Sequence, residues 1–409
     1  MIAFLHHNLR WVGAGVLLCF ASSFGQTWFI SLFAADIRAA AGISIGGWGL
    51  VYTAATLASA AILLSRGGLA DTLPFARLTT GVLVLYAVAA GMMAMLGPVW
   101  LLLAAVLLLR FCGQGMMIHI AMTAMGRWFH ARRGRAVSLA MLGHSLGEMT
   151  LPPLVAFALI YFGWREIWGG VAVALLVVFM PLLRRLLAQP RRAQHADASE
   201  VQSPGLQGRH WNRGEMIRHS IFTLFVPGVL TPGFIGTVVV FHQLHLAELR
   251  GWTLIEIAPA FSIYAGLTIM ATLVSGWASD RFGPRRFLPF YLLPMGLGTA
   301  VIGIGTGVWA WYVGLSLIGF SFGMNNTLWN TIVPEVYGTR HLGSLRAVFT
   351  AVMVTSTAIG PGVTGVLIDA GIGFPAQCLA MGLWCLTLSA LYLPLSRRLA
   401  PADPRPAGA

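Results

Sequence analysis

An arginine and a glutamate stand inside long apolar stretches of the sequence, where a charged side chain is costly and usually functional. Arg110 lies in LLLRFCGQGMMIHIAM, and Glu148 lies in SLAMLGHSLGEMTLPPLVAF. A guanidinium in such a place can anchor an anion, and a carboxylate there can take up and release a proton. His144 precedes Glu148 by one helical turn, and imidazole titrates near neutral pH. These residue types predict anion binding, proton transfer, or both.

Arg110 and Glu148 are expected to lie at similar depths in a membrane. Arg110 is about 12 residues, or ~18 Å, from the outer end of its stretch. That depth is near the middle of a ~30 Å hydrocarbon layer, and Glu148 falls within roughly two helical turns of it. We therefore expect an ion pair, in which an anionic substrate that draws Arg110 away lets Glu148 take up a proton. The alternative is an ion pair with a purely structural role.

Other polar side chains interrupt the apolar stretches and are candidates for lining a cavity. They could bind a substrate, or they could form hydrogen bonds between helices. For His119 we prefer the helix–helix hydrogen bond. For His242 and Gln243 the alternatives are an outer gate, the cavity lining or a place at the membrane interface. The candidates for substrate binding and proton coupling are Arg110, Glu148, His144, His119, Gln114, Gln26, His242, Gln243, Asn325, Asn326 and Trp329.

Membrane helices must position these side chains, and the composition predicts such helices. The 409 residues are 57% hydrophobic and 10% charged, whereas soluble domains carry about 25% charged residues. Apolar runs of about 20 residues, the length that crosses a bilayer, recur along the whole chain. We predict an all-α membrane protein with twelve transmembrane helices, named spans 1 to 12. They cover 10–34, 46–65, 78–97, 98–126, 136–162, 166–185, 219–246, 257–278, 287–306, 308–332, 344–369 and 374–395.

A polar segment separates two groups of six spans. Residues 186–218 contain Pro, Ser, Gln and Gly among charged residues, which is typical of a linker. We predict an N-terminal six-helix bundle at 1–185, a cytoplasmic linker at 186–218 and a C-terminal six-helix bundle at 219–395. A cytoplasmic tail, 396–409, follows.

Glycine and proline predict where the spans pack closely or bend. Gly143 and Gly147 form a face of small residues on span 5, which favours close helix packing. Pro227-Gly228 and Pro232-Gly233 interrupt span 7 twice. Because each proline removes a helical hydrogen bond, we expect span 7 to be a discontinuous helix.

The distribution of charge predicts the orientation. The net charge is +13, and the chain contains arginine but no lysine. Most arginines fall in short loops on one side of the membrane, whereas the other side has only Arg38, Arg165 and Arg250. By the positive-inside rule both termini are cytoplasmic. We expect a multi-pass protein of a bacterial-type inner (plasma) membrane, with no nucleic-acid partner.

Residue patterns for catalysis or metal binding are not visible in the sequence. The four cysteines, Cys19, Cys112, Cys378 and Cys385, lie in apolar segments without the spacing of metal ligands. A Walker-type phosphate loop needs a lysine, and the chain has none. We therefore expect no enzyme activity, no cofactor and no metal.

The stretch GWASDRFGPRR, residues 276–286, joins spans 8 and 9, and its residue types suit a tight cytoplasmic turn between two packed helices. Gly276 would let one helix approach another closely. Asp280 could accept hydrogen bonds from the N-terminus of an adjacent helix, and Gly283-Pro284 would force a turn. The arginines would hold that turn on the cytoplasmic side.

This pattern resembles the signature loop of the major facilitator superfamily, which follows the second helix of each half. A degenerate copy, Gly67 to Asp71, follows span 2, with Thr72 and Pro74 in place of the basic residue and the second glycine. The resemblance implies two six-helix bundles related by a parallel repeat, and a cytoplasmic conformational latch. The latch residues that it implies are Gly276, Asp280, Arg281, Gly283, Arg285, Arg286 and Asp71.

The resemblance also implies a secondary active transporter that works by alternating access, with spans 1, 4, 7 and 10 lining its cavity. The loops RWFHARRGRA and EVYGTRHLGS are similar to those of the bacterial monocarboxylate and oxalate/formate branch, which favours a small organic anion and proton coupling. One alternative is a multidrug or metabolite exporter of the same superfamily. Another is a non-transporting receptor or assembly factor on this fold. Expected partners are a small-molecule substrate, H+ and the lipid bilayer, and the expected state is a monomer.

Overall fold

Helices form all of the regular secondary structure in the described part of the chain. The computed structural model describes residues 2–129, 133–188 and 204–399, apart from the side chains of 2–7, 71, 133, 134, 207 and 280. Within these ranges there is no strand. Eight helices in them are long and apolar enough to cross a membrane, or nine if a bent pair in span 1 is one crossing. The prediction of an all-α membrane protein is confirmed.

Each of the twelve predicted spans overlaps a helix or a run of helices, and span 9 overlaps a helix of only 12 residues. Spans 1 to 6 are Ile2–Ala21 with Thr27–Ile30 and Ala34–Ala41, then Ile45–Arg66, Phe75–Ala94, Val99–Trp128, Arg133–Ala158 and Trp164–Leu187. Spans 7 to 12 are Ser220–Phe241, Leu254–Ile257 with Ala260–Phe282, Leu293–Ile304, Val308–Tyr337, Leu342–Asp369 and Phe374–Arg398. Short helices in the connections are Leu69–Thr72, Arg213–Arg218 and Gln243–Arg250.

Span 1 is broken near its middle. Helix Ile2–Ala21 passes into a tight turn, Ser22–Gly25, and Gln26 then has extended backbone angles, with φ −80° and ψ 152°. The two parts of the span meet at 45°. No proline marks this break in the sequence. A broken helix frees backbone carbonyls within the membrane, and these need donors from elsewhere.

Span 7 is continuous, so the predicted discontinuity at its two Pro-Gly pairs is wrong. Helix Ser220–Phe241 runs through Pro227 and Pro232. A proline removes the amide that would bond the carbonyl four residues earlier, which for Pro232 is that of Gly228. The Tyr291 hydroxyl donates to this carbonyl at 2.9 Å. A side chain from outside the span therefore replaces the lost backbone bond, and the helix persists.

The chain divides into two compact units. Unit 1 consists of 1–199, 240–262 and 360–371, and unit 2 consists of 200–239, 263–359 and 372–409. Unit 1 thus contains spans 1 to 6 together with the end of span 7, the start of span 8 and the end of span 11. The boundaries of the two six-helix bundles remain a prediction.

Glycines bring span 5 against span 1 within unit 1. A Cβ atom on Gly143 would clash with the Val16 carbonyl, and one on Gly147 would clash with the Ser23 hydroxyl. The predicted small-residue face of span 5 is therefore confirmed as a packing face, because only glycine lets the two backbones approach so closely.

The end of span 11 caps the start of span 2, also within unit 1. Asp369 Oδ2 accepts hydrogen bonds from the Ser44 hydroxyl at 2.6 Å and from the Gly46 amide at 3.0 Å. Ser44 in turn accepts from the Gly47 amide at 2.9 Å. A carboxylate satisfies amides at a helix N-terminus and is favoured there by the helix dipole.

Span 10 packs on span 8 in unit 2, again through glycine. A Cβ atom on Gly323 would lie 2.6 Å from Ala271 Cβ, and the Thr268 hydroxyl donates to the Gly319 carbonyl at 3.0 Å. This contact fixes the rotation of span 10 about its axis, and so the direction of the face that carries Asn325 and Trp329.

Candidate anion-binding site

Arg110 lies where span 4 meets the break in span 1. It begins a π-helical segment, Arg110–Met117, inside span 4, and such segments often occur at functional sites. Gly113 in this segment contacts Gly25 of span 1, and a Cβ atom on Gly113 would lie only 2.7 Å from Gly25 Cα. Two glycines without side chains thus let the guanidinium reach the broken span.

The Arg110 guanidinium is held by groups at that break. Its side chain is 1% exposed. Nη1 donates to the Gly25 carbonyl at 3.1 Å and to Thr27 Oγ1 at 3.3 Å. The break therefore supplies an acceptor that a continuous helix would have used internally.

Tyr52 of span 2 completes the support of the arginine. Its hydroxyl lies 2.6 Å from Thr27 Oγ1, and the Arg110 Cζ atom lies 5.2 Å from the centre of its ring. The ring is fully buried and packs against Trp48 and Phe241, with ring centres 6.0 Å and 4.8 Å away. Tyr52 was not among the predicted site residues. The signal for it was a hydroxyl-bearing side chain in the middle of an apolar span.

One edge of the Arg110 guanidinium has no hydrogen-bond partner among the residues that the structure describes. Both Nε and Nη2 are buried and without an acceptor, and so is Nε2 of Gln26 at the break. A buried cation without a counter-charge is unfavourable. The Nε–Nη2 edge presents two parallel donors, the geometry that binds both oxygens of a carboxylate. The site is therefore suited to a two-oxygen anion.

Arg110 and Glu148 do not form the predicted ion pair in the described part of the chain. Arg110 instead contacts Gly25, Thr27 and Tyr52, and Glu148 is half-buried in span 5. The prediction failed because it placed the residues by depth alone, whereas the break in span 1 supplies a nearer acceptor for the guanidinium.

Glu148 and His144 share one face of span 5, one helical turn apart. Each of them directly follows a glycine that packs against span 1: His144 follows Gly143, and Glu148 follows Gly147. His144 Nδ1 is buried and has no hydrogen-bond partner in the described ranges. The adjacent Met149 carbonyl accepts from the Ser262 hydroxyl at 2.7 Å, which ties this part of span 5 to the start of span 8.

The remaining candidates in span 4 lie away from the guanidinium contacts. His119 Nε2 lies 3.0 Å from the Gly67 carbonyl, at the end of span 2, which agrees with the preferred helix–helix interpretation. Gln114 is half-buried within the π-helical segment.

His242 and Gln243 are buried in unit 1 just after span 7 ends. His242 Nε2 lies 2.8 Å from the Thr364 hydroxyl, and Gln243 Nε2 donates to the Ser31 hydroxyl at 2.8 Å. Their side chains therefore join segments of unit 1. Their burial does not fit an exposed position at the membrane interface, and the gate and cavity-lining roles remain predictions.

The candidates of span 10 lie in unit 2. Trp329 packs against Phe225, Tyr291 and Phe349 with ring centres 5.2 Å, 6.2 Å and 5.9 Å away. Asn325 is half-buried, and its Oδ1 atom has no partner in the described part of the chain. Asn326 is exposed. The predicted residues thus fall in two separate units.

The loop after span 8 turns where the sequence predicted. Helix Ala260–Phe282 ends at Gly283, whose φ of 82° favours glycine. Gly276 has no described atom within 4 Å of the place where a Cβ would lie. Within the described ranges the expected close helix approach at Gly276 is therefore not found.

The charged residues of this loop have mixed surroundings. Arg285 Nη1 donates to the Leu399 carbonyl at 3.2 Å and lies 3.9 Å from Glu335 Oε1. Arg281 lies over the Trp277 ring at 5.6 Å, and Arg286 is exposed. The side chains of Asp280 and Asp71 lie outside the described residues, so their latch roles remain predictions.

The comparisons with known proteins agree with this architecture. A profile of the Major Facilitator Superfamily matches residues 16–353 and 224–408. Monocarboxylate transporter 11 of Homo sapiens is 26% identical over 335 residues, which are 77% of this chain and 69% of that protein. An uncharacterized 38 kDa protein of Thermoproteus tenax is 26% identical over 362 residues, covering 88% of this chain and 86% of its own.

Solved transporter structures have the same fold. A bacterial homolog of the human lysosomal transporter Spinster superposes with a TM-score of 0.73 at 15% identity, covering 96% of this chain and 98% of that one. The nucleoside transporter NupG gives a TM-score of 0.69 at 14% identity, covering 95% and 98%. Because the family profile spans most of the sequence, the chain belongs to the Major Facilitator Superfamily and is a multi-pass membrane transporter, not an enzyme.

Proposed function

We propose that this transporter carries a small organic anion, with a monocarboxylate as its substrate, by alternating access coupled to protons. One observation carries the choice of an anion. Arg110 is almost fully buried, yet its Nε–Nη2 edge has no acceptor among the described residues. A carboxylate offers two oxygens at the spacing of these two donors.

The relatives support the same substrate class. Human monocarboxylate transporter 11 matches over most of this chain, and its name refers to carboxylates with one acid group. A monocarboxylate also fits the charge of the site, because a single guanidinium balances a single negative charge. The neighbouring donor at Gln26 Nε2 would serve a further oxygen of the substrate.

Glu148 is our candidate for the proton carrier. It is half-buried in a membrane span and forms no ion pair among the described residues. A carboxyl group in such surroundings can exist in both protonation states during a transport cycle. His144, one turn earlier, offers a second site for the same proton. This proposal needs no direct Arg110–Glu148 contact.

The wider assignments complete the proposal. We place the protein as a monomer in a bacterial-type inner membrane, with both termini cytoplasmic and two six-helix bundles at 1–185 and 219–395. The arginine asymmetry supports the orientation.

Uptake into proteoliposomes tests the substrate class. The probes are labelled formate, acetate, pyruvate and benzoate, with a neutral nucleoside and a lipophilic cation for the exporter alternative, each with and without an inward proton gradient. We expect carboxylate uptake that the gradient stimulates. Arg110→Gln should lower uptake at subsaturating substrate by at least about tenfold, since a hydrogen-bonded charge is lost.

Controls separate a binding role from a folding role. Arg110→Lys keeps the charge but not the two parallel donors, so it should restore little of the uptake. Arg10→Gln removes an arginine of span 1 whose Nε bonds the Leu186 carbonyl at 2.9 Å, and it should keep the wild-type half-saturation concentration. Carboxylate uptake that is unchanged in Arg110→Gln, or transport of the neutral or cationic probes alone, would contradict the proposal.

A further inference from the structure

We infer that Tyr52 is the positioning residue that decides which edge of the Arg110 guanidinium faces the substrate, and that it acts through Thr27. This inference rests on the proposed function, because it assumes that the open edge of Arg110 binds a carboxylate. Tyr52 need not touch the substrate to have this effect.

The hydrogen-bond pattern of Arg110 shows why orientation matters. A guanidinium has five N–H donors, two of them on Nη1. Nη1 donates to the Gly25 carbonyl at 3.1 Å and to Thr27 Oγ1 at 3.3 Å. Two acceptors on one nitrogen define the plane of the whole group. The donors that remain are those of Nε and Nη2, which form the bidentate edge.

Thr27 can hold its side of this arrangement only if its own hydroxyl is fixed. A threonine hydroxyl rotates to suit its partners. The Tyr52 hydroxyl, 2.6 Å from Thr27 Oγ1, fixes it by a second hydrogen bond. Without Tyr52 the guanidinium would keep Gly25 as its one firm acceptor and could turn about that contact.

The ring of Tyr52 contributes separately from its hydroxyl. The ring centre lies 5.2 Å from Arg110 Cζ, within the range of a cation–π contact. Packing against Trp48 and Phe241 holds the ring in place. Removing the hydroxyl alone therefore leaves the packing intact and breaks the hydrogen-bond chain from Tyr52 through Thr27 to Arg110. The hydroxyl also interacts with Thr56, so Thr27→Val provides the independent break in the chain.

The test measures carboxylate binding to the full-length purified protein by its thermal stabilisation. Formate, acetate, pyruvate and benzoate are titrated against chloride at equal ionic strength, and the tightest of them is used for the variants. Tyr52→Phe and Thr27→Val should each weaken binding about fivefold, the effect of one hydrogen bond. Thr27→Ser keeps the hydroxyl and should recover most of the affinity that Thr27→Val loses.

The double variant and the transport kinetics provide readouts that a general loss of stability would not produce. If both residues act through one hydrogen-bond chain, Tyr52→Phe combined with Thr27→Val should bind no more weakly than Thr27→Val alone. In proteoliposomes Tyr52→Phe should raise the half-saturation concentration and leave the maximal rate within about twofold of wild type.

A matched tyrosine serves as the control. Tyr392 is also buried, and its hydroxyl donates to the Leu224 carbonyl at 3.0 Å in unit 2. Tyr392→Phe loses a buried hydroxyl without affecting Arg110 and should bind carboxylate as the wild type does.

The outcomes separate this inference from the proposed function. A wild-type protein that no carboxylate stabilises more than chloride does would overturn both. Carboxylate binding that Arg110→Gln abolishes but Tyr52→Phe and Thr27→Val leave unchanged would overturn the inference alone. Additive losses in the double variant would show that the two hydroxyls act independently, which also contradicts it.

Discussion

The role of a charged side chain in the membrane depends on its nearest hydrogen-bond partners more than on its depth. Arg110 shows this, because its Nη1 atom is satisfied by a carbonyl and a hydroxyl at the break in span 1. Neither partner neutralises the charge. The guanidinium therefore remains a cation with an open edge, which suits a ligand better than a structural ion pair would.

At the residue scale we predict that Glu148→Gln abolishes proton-driven accumulation of substrate while substrate exchange persists. Glutamine keeps the size and hydrogen-bonding capacity of the side chain but cannot carry the proton. The measurement is proton flux and carboxylate flux in the same proteoliposomes, with folding checked by thermal melting.

Glu166 provides the control for this experiment. It is an exposed glutamate whose carboxylate accepts from the Gly163 amide at 3.0 Å, so Glu166→Gln should leave the coupling intact. Concentrative, pH-driven uptake that survives in folded Glu148→Gln protein would show that Glu148 is not the coupling residue.

At the scale of helices, small residues decide which spans meet. Gly113 brings span 4 to the break in span 1, and Gly143 and Gly147 bring span 5 to the same span. Where a glycine faces no neighbour, as Gly91 does among the described residues, its lack of a side chain has no packing role. The protein thus offers matched glycines for an experiment.

We predict that Gly113→Ala destabilises the protein by about 1–3 kcal/mol through overpacking. The added methyl would clash with the Tyr86 hydroxyl and lie 2.7 Å from Gly25 Cα, so span 4 must shift and take Arg110 with it. Thermal melting and carboxylate titration would both report the change. Gly91→Ala lies in helix Phe75–Ala94 and should be neutral or stabilising. Equal melting temperatures for the two variants would refute the prediction.

A second prediction at this scale concerns the cap on span 2. Asp369→Ala removes the acceptor of the Ser44 hydroxyl and the Gly46 amide, and it should cost about 1 kcal/mol, the usual value of a helix cap. Hydrogen exchange of the first turn of helix Ile45–Arg66 should accelerate, while helix Phe75–Ala94 stays unchanged. Unaltered exchange in that first turn would count against the capping role.

At the scale of the whole molecule, alternating access requires contacts that break and re-form during the cycle. The signature loop after span 8 is the predicted latch. Its helix ends at Gly283 in the conformation that a tight turn needs, and Arg285 next to it contacts Leu399 and Glu335 within unit 2.

We predict that Asp280→Asn slows turnover while carboxylate affinity stays near wild type, because the loop is remote in sequence from Arg110 but belongs to the predicted latch. Transport rates in proteoliposomes and thermal-shift titration measure the two properties separately. Arg286→Gln alters an exposed charge in the same loop. Comparing its turnover rate with that of Asp280→Asn shows whether any change of charge in the loop is enough to slow transport. A normal turnover rate in Asp280→Asn would argue against the latch.

Much of the architecture is determined by the sequence alone. Apolar runs of about 20 residues must cross a bilayer as helices, because unpaired backbone groups cannot remain in hydrocarbon. Hydrophobicity is a property of each stretch by itself, so the twelve spans could be predicted without knowing their neighbours. In the described ranges eight or nine helices are long and apolar enough to cross a membrane, and span 9 corresponds to a helix of 12 residues. Arg110 could be identified in the same way, since a charge within an apolar run is visible without any tertiary contact. The packing face of Gly143 and Gly147 followed from the spacing of the two glycines, one helical turn apart.

Only the tertiary structure decided which groups meet. The break in span 1 has no proline to mark it, whereas the prolines of span 7 leave a continuous helix because Tyr291 donates to the Gly228 carbonyl. The partners of Arg110 follow from that break and from the Gly25–Gly113 contact, so no count of depth along a helix could have found them. Hydrogen bonds between helices depend on how the helices pack, and packing is set by residues far apart in the chain.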